Sequence, residues 1–305
     1  MLKEKLHIDE LGQEVVQEIK KRMPQAKVSV KEVVKTNDII LHGIIINDIA
    51  SESNVTPTIY LDNYYEGYLN DNIAVEEIAE KIIEISNKHQ CPVSFDIDMA
   101  TDYDNVRNML RIKIVNTERN VRLLQDVPHK DFLDLSAVYQ ILVSEDESGA
   151  ATITVNNHLM QMYGVTVDEL HEAALENMSI KEPVKIQSMA ETMVEILGVE
   201  DIPLDELPGG GPEMYVVTNP SKICGASEML MKETLQKAAD IFNGNFYILP
   251  SSIHELIAVP ATEDVDVQFL RDTVCEINAT QVSPDEVLSD NVYFYNVKTG
   301  ELKIA

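Results

Sequence analysis

Ala151-Thr152-Ile153-Thr154-Val155-Asn156-Asn157 is a β-branched run closed by two asparagines, and Pro57-Thr58-Ile59-Tyr60-Leu61-Asp62-Asn63 repeats its pattern earlier in the chain. Each is followed by an acidic helix opening, Val167-Asp168-Glu169-Leu170 in one case and Val75-Glu76-Glu77-Ile78 in the other. A third segment, Gly225-Ala226-Ser227-Glu228-Met229-Leu230-Met231, aligns with the first: Gly149, Ala150, Val155 and Leu159 fall opposite Gly225, Ala226, Met231 and Leu235. In front of the three segments lie apolar runs over residues 39–46, 135–143 and 214–218, each ending in a polar turn. The unit therefore reads strand, turn, strand, helix.

A fourth copy fits the order without the motif. Residues 246–249 and 256–259 flank the turn Pro250-Ser251-Ser252-Ile253, residues 267–277 place Leu270, Val274 and Ile277 on one helical face, and a closing strand follows at 292–295. Upstream, Leu6, Leu11, Val15, Ile19 and Met23 recur about four residues apart and mark a helix ending before Pro24. Val28, Val30, Val33 and Val34 form a strand before the turn Thr36-Asn37-Asp38, and Ile78, Ile82, Ile83 and Ile85 mark a helix over residues 75–89. Hairpins with helices laid on them predict an α+β fold of antiparallel sheets, built from repeated ββα units.

At 305 residues the chain has room for two domains. The stretch GVEDIPLDELPGGGP, residues 198–212, combines proline, glycine and acid and has little to bury. The expected division is an N-terminal α+β domain over 1–200 with two such units, a linker over 201–212, and a ββαββαβ domain over 213–305. Gly209-Gly210-Gly211 is no phosphate cradle, because prolines flank it where a strand and a helix N-terminus would be needed.

Charge bounds the partners. Against 52 Asp and Glu stand 24 Lys and Arg, for a net charge of −28. A surface of that sign repels phosphate backbones and acidic lipid headgroups, which argues against direct nucleic-acid or membrane binding and toward a basic partner protein. The excess is uneven: from 186 to 221 acids stand without Lys or Arg, and from 238 to 297 Arg271 is the only base. Arg107, Arg111, Lys113, Arg119, Arg122 and Lys130 cluster in one stretch that invites contact with an acidic face. Cys91, Cys224 and Cys275 are widely spaced and form no Cys-x-x-Cys pair, as expected of a reducing cytoplasm. The N-terminus lacks the apolar core of a signal peptide, and no window approaches the ~20 apolar residues of a membrane span.

Pro250-Ser251-Ser252-Ile253-His254-Glu255 is the foremost candidate site, with a hydroxyl, an imidazole and a carboxylate close together. Ser252 and His254 would share a strand face and Glu255 would point away, so the triad logic is incomplete. A hairpin turn whose serines satisfy its own backbone is the plainer reading. Asp96, Asp98, Asp102 and Asp104 form the densest acid cluster, but without the turn glycine and terminal Glu of an EF-hand; Thr101 or Asp102 serves equally as a helix N-cap. The seven histidines never pair at i, i+4, so no metal site is assigned and no cofactor is expected. Cys224 with Glu228 and a remote His reads as a buried thiol rather than a nucleophile. Tyr60, Tyr64, Tyr65 and Tyr68 read as rings covering the core.

Leu41-His42-Gly43-Ile44, Pro57 to Leu61 as quoted, Gly164-Val165-Thr166-Val167, the segment from Phe246 to Glu255 and Glu286-Val287-Leu288-Ser289-Asp290 together resemble the domain-of-unknown-function family numbered 5688, known from clostridial gut bacteria. The resemblance implies a bacterial cytoplasmic protein of this architecture and carries over no activity, cofactor or catalytic residue. The leading expectation is a non-enzymatic binding or regulatory protein acting through protein contacts. The alternatives are a small hydrolase using Ser252 and His254, with Ser251 and Glu255 beside them, and an acidic mimic of nucleic acid. Oligomeric state stays open.

Overall fold

The computed structural model describes residues 5–47, 56–88, 97–146, 149–197 and 213–305. It is a mixed α/β chain with antiparallel sheets, and it divides into two compact units. The first holds residues up to 98 except 36–38, and the second holds 36–38 and 99–305.

In the first unit, helix α1 (Ile8–Arg22) precedes the hairpin β1 (Lys27–Val34) and β2 (Ile40–Asn47), which strand β3 (Thr58–Tyr60) extends to a sheet of order β1-β2-β3. Helices α2 (Asp62–Leu69) and α3 (Val75–Lys88) follow. Leu11, Val15 and Ile19 of α1 and Ile78 and Ile82 of α3 bury against Ile44, Ile46 and Ile59, so the helical four-residue spacing and the strand alternation serve one core. Tyr64, Tyr65 and Tyr68 pack on that core from α2, as their amphipathic rings suggest, and the Lys5 ammonium lies over the Tyr68 ring.

The second unit opens with short helices α4 (Ile97–Thr101), at the division, and α5 (Tyr103–Val106). Asp102 caps α5 by accepting from the Asp104 N–H, which gives this carboxylate a structural task. Asp96 lies outside the described residues. A four-stranded sheet is organised on the long strand β6 (Leu135–Asp146): β4 (Leu110–Asn116) pairs along one side, and β5 (His129–Phe132) and β7 (Gly149–Thr154) share the other. Helix α6 (Val121–Asp126) connects β4 to β5, and α7 (Asn157–Tyr163) and α8 (Val167–Lys181) follow β7. A six-stranded sheet comprises β8 (Lys185–Ser188), β9 (Tyr215–Thr218), β10 (Phe246–Leu249), β11 (Leu256–Pro260), β12 (Tyr293–Asn296) and β13 (Glu301–Ile304), in the order β13-β12-β10-β11-β9-β8. Its helices are α9 (Met189–Leu197), α10 (Lys232–Phe242) and α11 (Val267–Thr280).

Both faces of this second sheet are covered, which explains the unbroken apolar runs of β10 and β11. Phe246, Ile248, Leu256 and Ala258 join the main core with Leu235, Ala238 and Ala239 of α10. The alternate residues Leu249 and Val259 pack with Leu270 and Val274 of α11. Ile277 is exposed, contrary to the expected face; the next buried position of α11 is Asn278, one turn beyond Val274, whose Nδ2 donates to the Ser289 carbonyl.

Two expectations need amendment. Gly225–Leu230 is a 3-10 helix, not a second strand: Gly225, Ala226 and Glu228 are of types depleted in strands, and the segment packs rather than pairs. The chain closes with two strands, β12 and β13, where one was expected at 292–295. The expected linker lies outside the described residues; β8 before it pairs with β9 after it.

The turn between β5 and β6 shows how the second unit is tied together. Asp134 accepts from the Ser289 hydroxyl (2.7 Å), Asn291 Nδ2 (2.9 Å) and the Tyr293 hydroxyl (2.6 Å). Burial and this bond raise the Tyr293 phenol far above its ordinary range. Asp134→Ala is expected to cost about 2 kcal/mol in urea unfolding, since three donors lose a charged acceptor while water reaches part of the site. A loss under about 0.5 kcal/mol would show that the tie is ornamental.

Candidate functional site

The β10–β11 turn is folded onto its surroundings by backbone bonds. Ile253 N–H donates to the Glu286 carbonyl (3.0 Å), Leu288 N–H to the Ser251 carbonyl (3.2 Å) and Ser289 N–H to the Pro250 carbonyl (3.0 Å). Ser252 is buried, and its Oγ accepts from the His254 backbone N–H at 3.0 Å, the local serine-turn bond that such a sequence favours. His254 is half-buried. Its Nδ1 accepts from the Cys224 backbone N–H (3.3 Å), and its Nε2 lies 3.5 Å from Glu286 Oε1. A neutral imidazole accepting at Nδ1 carries its proton on Nε2, where it faces Glu286. It cannot take a proton at Nε2 in that tautomer, so the ring is set to donate rather than to act as a base. Glu255 is half-buried, and burial raises its carboxyl, with His254 opposing and Glu286 adding to the rise.

Behind His254 runs a chain of polar groups that the sequence did not announce. Asn219 donates from Nδ2 to the Ile223 carbonyl (2.9 Å) and to Glu182 Oε2 (2.8 Å). Glu182 Oε1 receives Arg111 Nη2 at 2.7 Å, and Arg111 Nη1 reaches Glu145 at 3.3 Å. Arg111 is 3% exposed, so this guanidinium is a buried charge held by two partly exposed carboxylates, with its Nε unpartnered. Cys224 sits in left-handed backbone at φ 54°, and burial pushes its thiol up. Gly225 follows, packed against Thr218, Asn219 and the His254 carbonyl. Glu228, 2% exposed, accepts from the Thr234 hydroxyl (2.6 Å); burial, with Glu182 adding to it, pushes its carboxyl up to about 7.

The basic stretch meets acids of its own chain. Arg107 pairs with Glu176, Arg111 with Glu145 and Glu182, Arg119 with Asp290 and Lys130 with Asp168, while Lys113 donates to Thr36 Oγ1. Arg111 carried a readable signal, a charge inside the β-branched run Leu110-Arg111-Ile112-Lys113-Ile114-Val115. Glu182 and Asn219 carried none, because both stand in ordinary polar segments.

In the first unit, His42 interrupts an apolar strand in the same way. Its Nε2 lies 3.2 Å from Asp9 Oδ1 and its Nδ1 3.1 Å from Asp62 Oδ1. Asp62 Oδ2 accepts the His42 backbone N–H at 2.6 Å. Asp9, Glu32 and His42 offer ligand atoms within 4.8 Å of one another, the residues best placed to hold a metal among those described. Among the described residues no helix is long and apolar enough to cross a membrane.

An α+β protein with antiparallel sheets, a turn-bound Ser-His pair and a buried charge network is thus defined. The chain belongs to the family of unknown function DUF5688, whose model matches residues 8–297. No curated protein and no solved structure matches it.

Proposed function

We propose that the chain is a bacterial, cytoplasmic, non-enzymatic binding or regulatory protein that engages a basic partner through the acidic surface around α11. The observation that carries this reading is the outer face of that helix. Asp272 and Glu276 are exposed on it and Phe269 is 62% exposed, Glu263, Asp264 and the capping Asp266 are exposed just before it, and the single base of the region, Arg271, is turned to the Ala305 carbonyl. An exposed aromatic ring on a helix that also exposes carboxylates suits a segment that brings both an apolar anchor and Lys or Arg. Recurring order supports the further reading of duplicated units, since β2–β3, β6–β7 and β10–β11 each lead into a helix.

The hydrolase alternative asks Ser252 and His254 to work together. Ser252 Oγ is engaged by backbone, and the imidazole is held in the donating tautomer, so the binding reading is preferred.

Lysate pull-downs with the full chain and with Asp272→Lys/Glu276→Lys test the proposal. The parent should retain a basic protein at about 50 mM salt and lose most of it near 300 mM, as screened charge pairs do. The double variant should recover about tenfold less. Equal recovery by both, or retention indifferent to salt, would remove the acidic surface from consideration.

A further inference from the structure

Glu32 on β1 and His42 on β2 are directly paired across the hairpin, which sets their side chains on one face of the sheet. Asp9, in the first turn of α1, reaches the same place. His42 meets carboxylate on both ring nitrogens, Asp62 at Nδ1 and Asp9 at Nε2. A neutral imidazole has one N–H to give. With that proton on Nδ1, donated to Asp62, Nε2 keeps its lone pair beside Asp9 Oδ1, and a Glu32 carboxylate oxygen lies within 4.8 Å of the ligand atoms of both residues. Such an arrangement is relieved by a cation.

We propose that His42 Nε2 and the carboxylates of Asp9 and Glu32 bind a divalent transition-metal ion, zinc by preference. The distances agree: metal–ligand bonds of ~2.0 Å at a tetrahedral centre separate ligand atoms by about 3.3 Å, and Nε2 to Asp9 Oδ1 is 3.2 Å. Glu32 is exposed and has the rotamer freedom to close the remaining edges. Asp62 supplies the outer support typical of metal-bound histidine, fixing the tautomer and the ring plane and itself held by the His42 backbone N–H. An imidazole ligand disfavours magnesium and calcium, which take oxygen sets. Three protein ligands leave a fourth position on the solvent side, open to water or to an anionic group. The site lies wholly within residues 8–62 and is independent of the acidic surface proposed above.

Chelator-treated full chain, titrated with Zn²⁺ against a chromophoric competitor, is expected to take up one tight equivalent that millimolar Ca²⁺ does not displace. Glu32→Gln removes a ligand at an exposed position and should weaken that equivalent by at least tenfold, with the metal-free melting temperature unchanged. Asp62→Asn should weaken it 10–100-fold through loss of ring orientation. If no stoichiometric equivalent appears, the proposal fails. It fails equally if Asp9→Asn/Glu32→Gln keeps parental affinity within about twofold, since the ion is then adventitious on an acidic surface. Should Asp9→Asn lower the metal-free melting temperature while zinc uptake is absent in parent and variant alike, His42 is an imidazolium clasp between two carboxylates and not a ligand.

Discussion

Gly225→Ala is expected to destabilise the protein by more than about 3 kcal/mol, at the upper end of what one added methyl costs in a packed interior. A Cβ at this position would stand 2.5 Å from the His254 carbonyl oxygen and 2.9 Å from the Asn219 backbone nitrogen, and would collide with the Thr218 hydroxyl. Two of these three neighbours are backbone and cannot rotate aside. The Thr218 hydroxyl is itself committed, donating to the His254 carbonyl at 2.8 Å. Nor can the segment back away, because Ala226 N–H donates to the Ile253 carbonyl and Cys224 N–H to the His254 ring. Urea unfolding at pH 7 measures the loss. Gly244→Ala is the control: nothing lies within 4 Å of its Cβ, and it should stay within about 0.5 kcal/mol of the parent. If Gly225→Ala is equally mild, the close approach of the end of β9 and the turn before β11 to the Gly225–Leu230 helix is wrong.

Glu228→Gln should make the protein more stable by roughly 3 kcal/mol at pH 8 and by under about 1 kcal/mol at pH 5. The sign follows from the protons. Below about 4.5, the ordinary carboxyl value, folded and unfolded chains both hold this proton. Between there and about 7 the folded chain keeps it while the unfolded chain releases it, so folding takes up a proton and stability falls as pH rises. Above about 7 the cost of a buried carboxylate is fully present. Glutamine carries no charge to desolvate, and its amide oxygen can accept the Thr234 hydroxyl as Glu228 does. Parallel urea curves for parent and variant at the two pH values decide the matter. A parent whose stability is level across this window would show that Glu228 is ionised with a partner. Glu255, raised by burial in the same direction, should leave a smaller slope in the variant.

How much of this was readable beforehand depended on whether a residue's task was local. The helix of residues 8–22, the β10–β11 hairpin and α3 were legible because apolar spacing within each segment reports the face it buries. The turn role of Ser252 was legible for the same reason, its partner being two residues away. Gly225–Leu230 misled because alignment matched positions while the residue types argued against a strand. The Arg111, Glu182 and Asn219 network lay beyond reach: its members are separated by 71 and 37 positions, and only the sheets' packing brings them together. His42 was visible as a polar break in an apolar run. That Asp9, Glu32 and Asp62 would surround it depended on hairpin register and on where α1 lies.

The pairing of β8 with β9 bears on how chains of this kind can vary in length. The backbone leaves the sheet after Ser188 and returns at Tyr215 on the neighbouring strand, so the ends of the intervening segment are held side by side whatever lies between them. Closing such an excursion costs entropy that grows only with the logarithm of its length, about 0.6 kcal/mol for each doubling. Insertions or deletions over residues 198–212 therefore leave the sheet's ladder intact at small cost. The same number of residues added at Gly225 would break three sets of contacts. Added length is thus expected to be tolerated between β8 and β9 and resisted at the packed corner beside them.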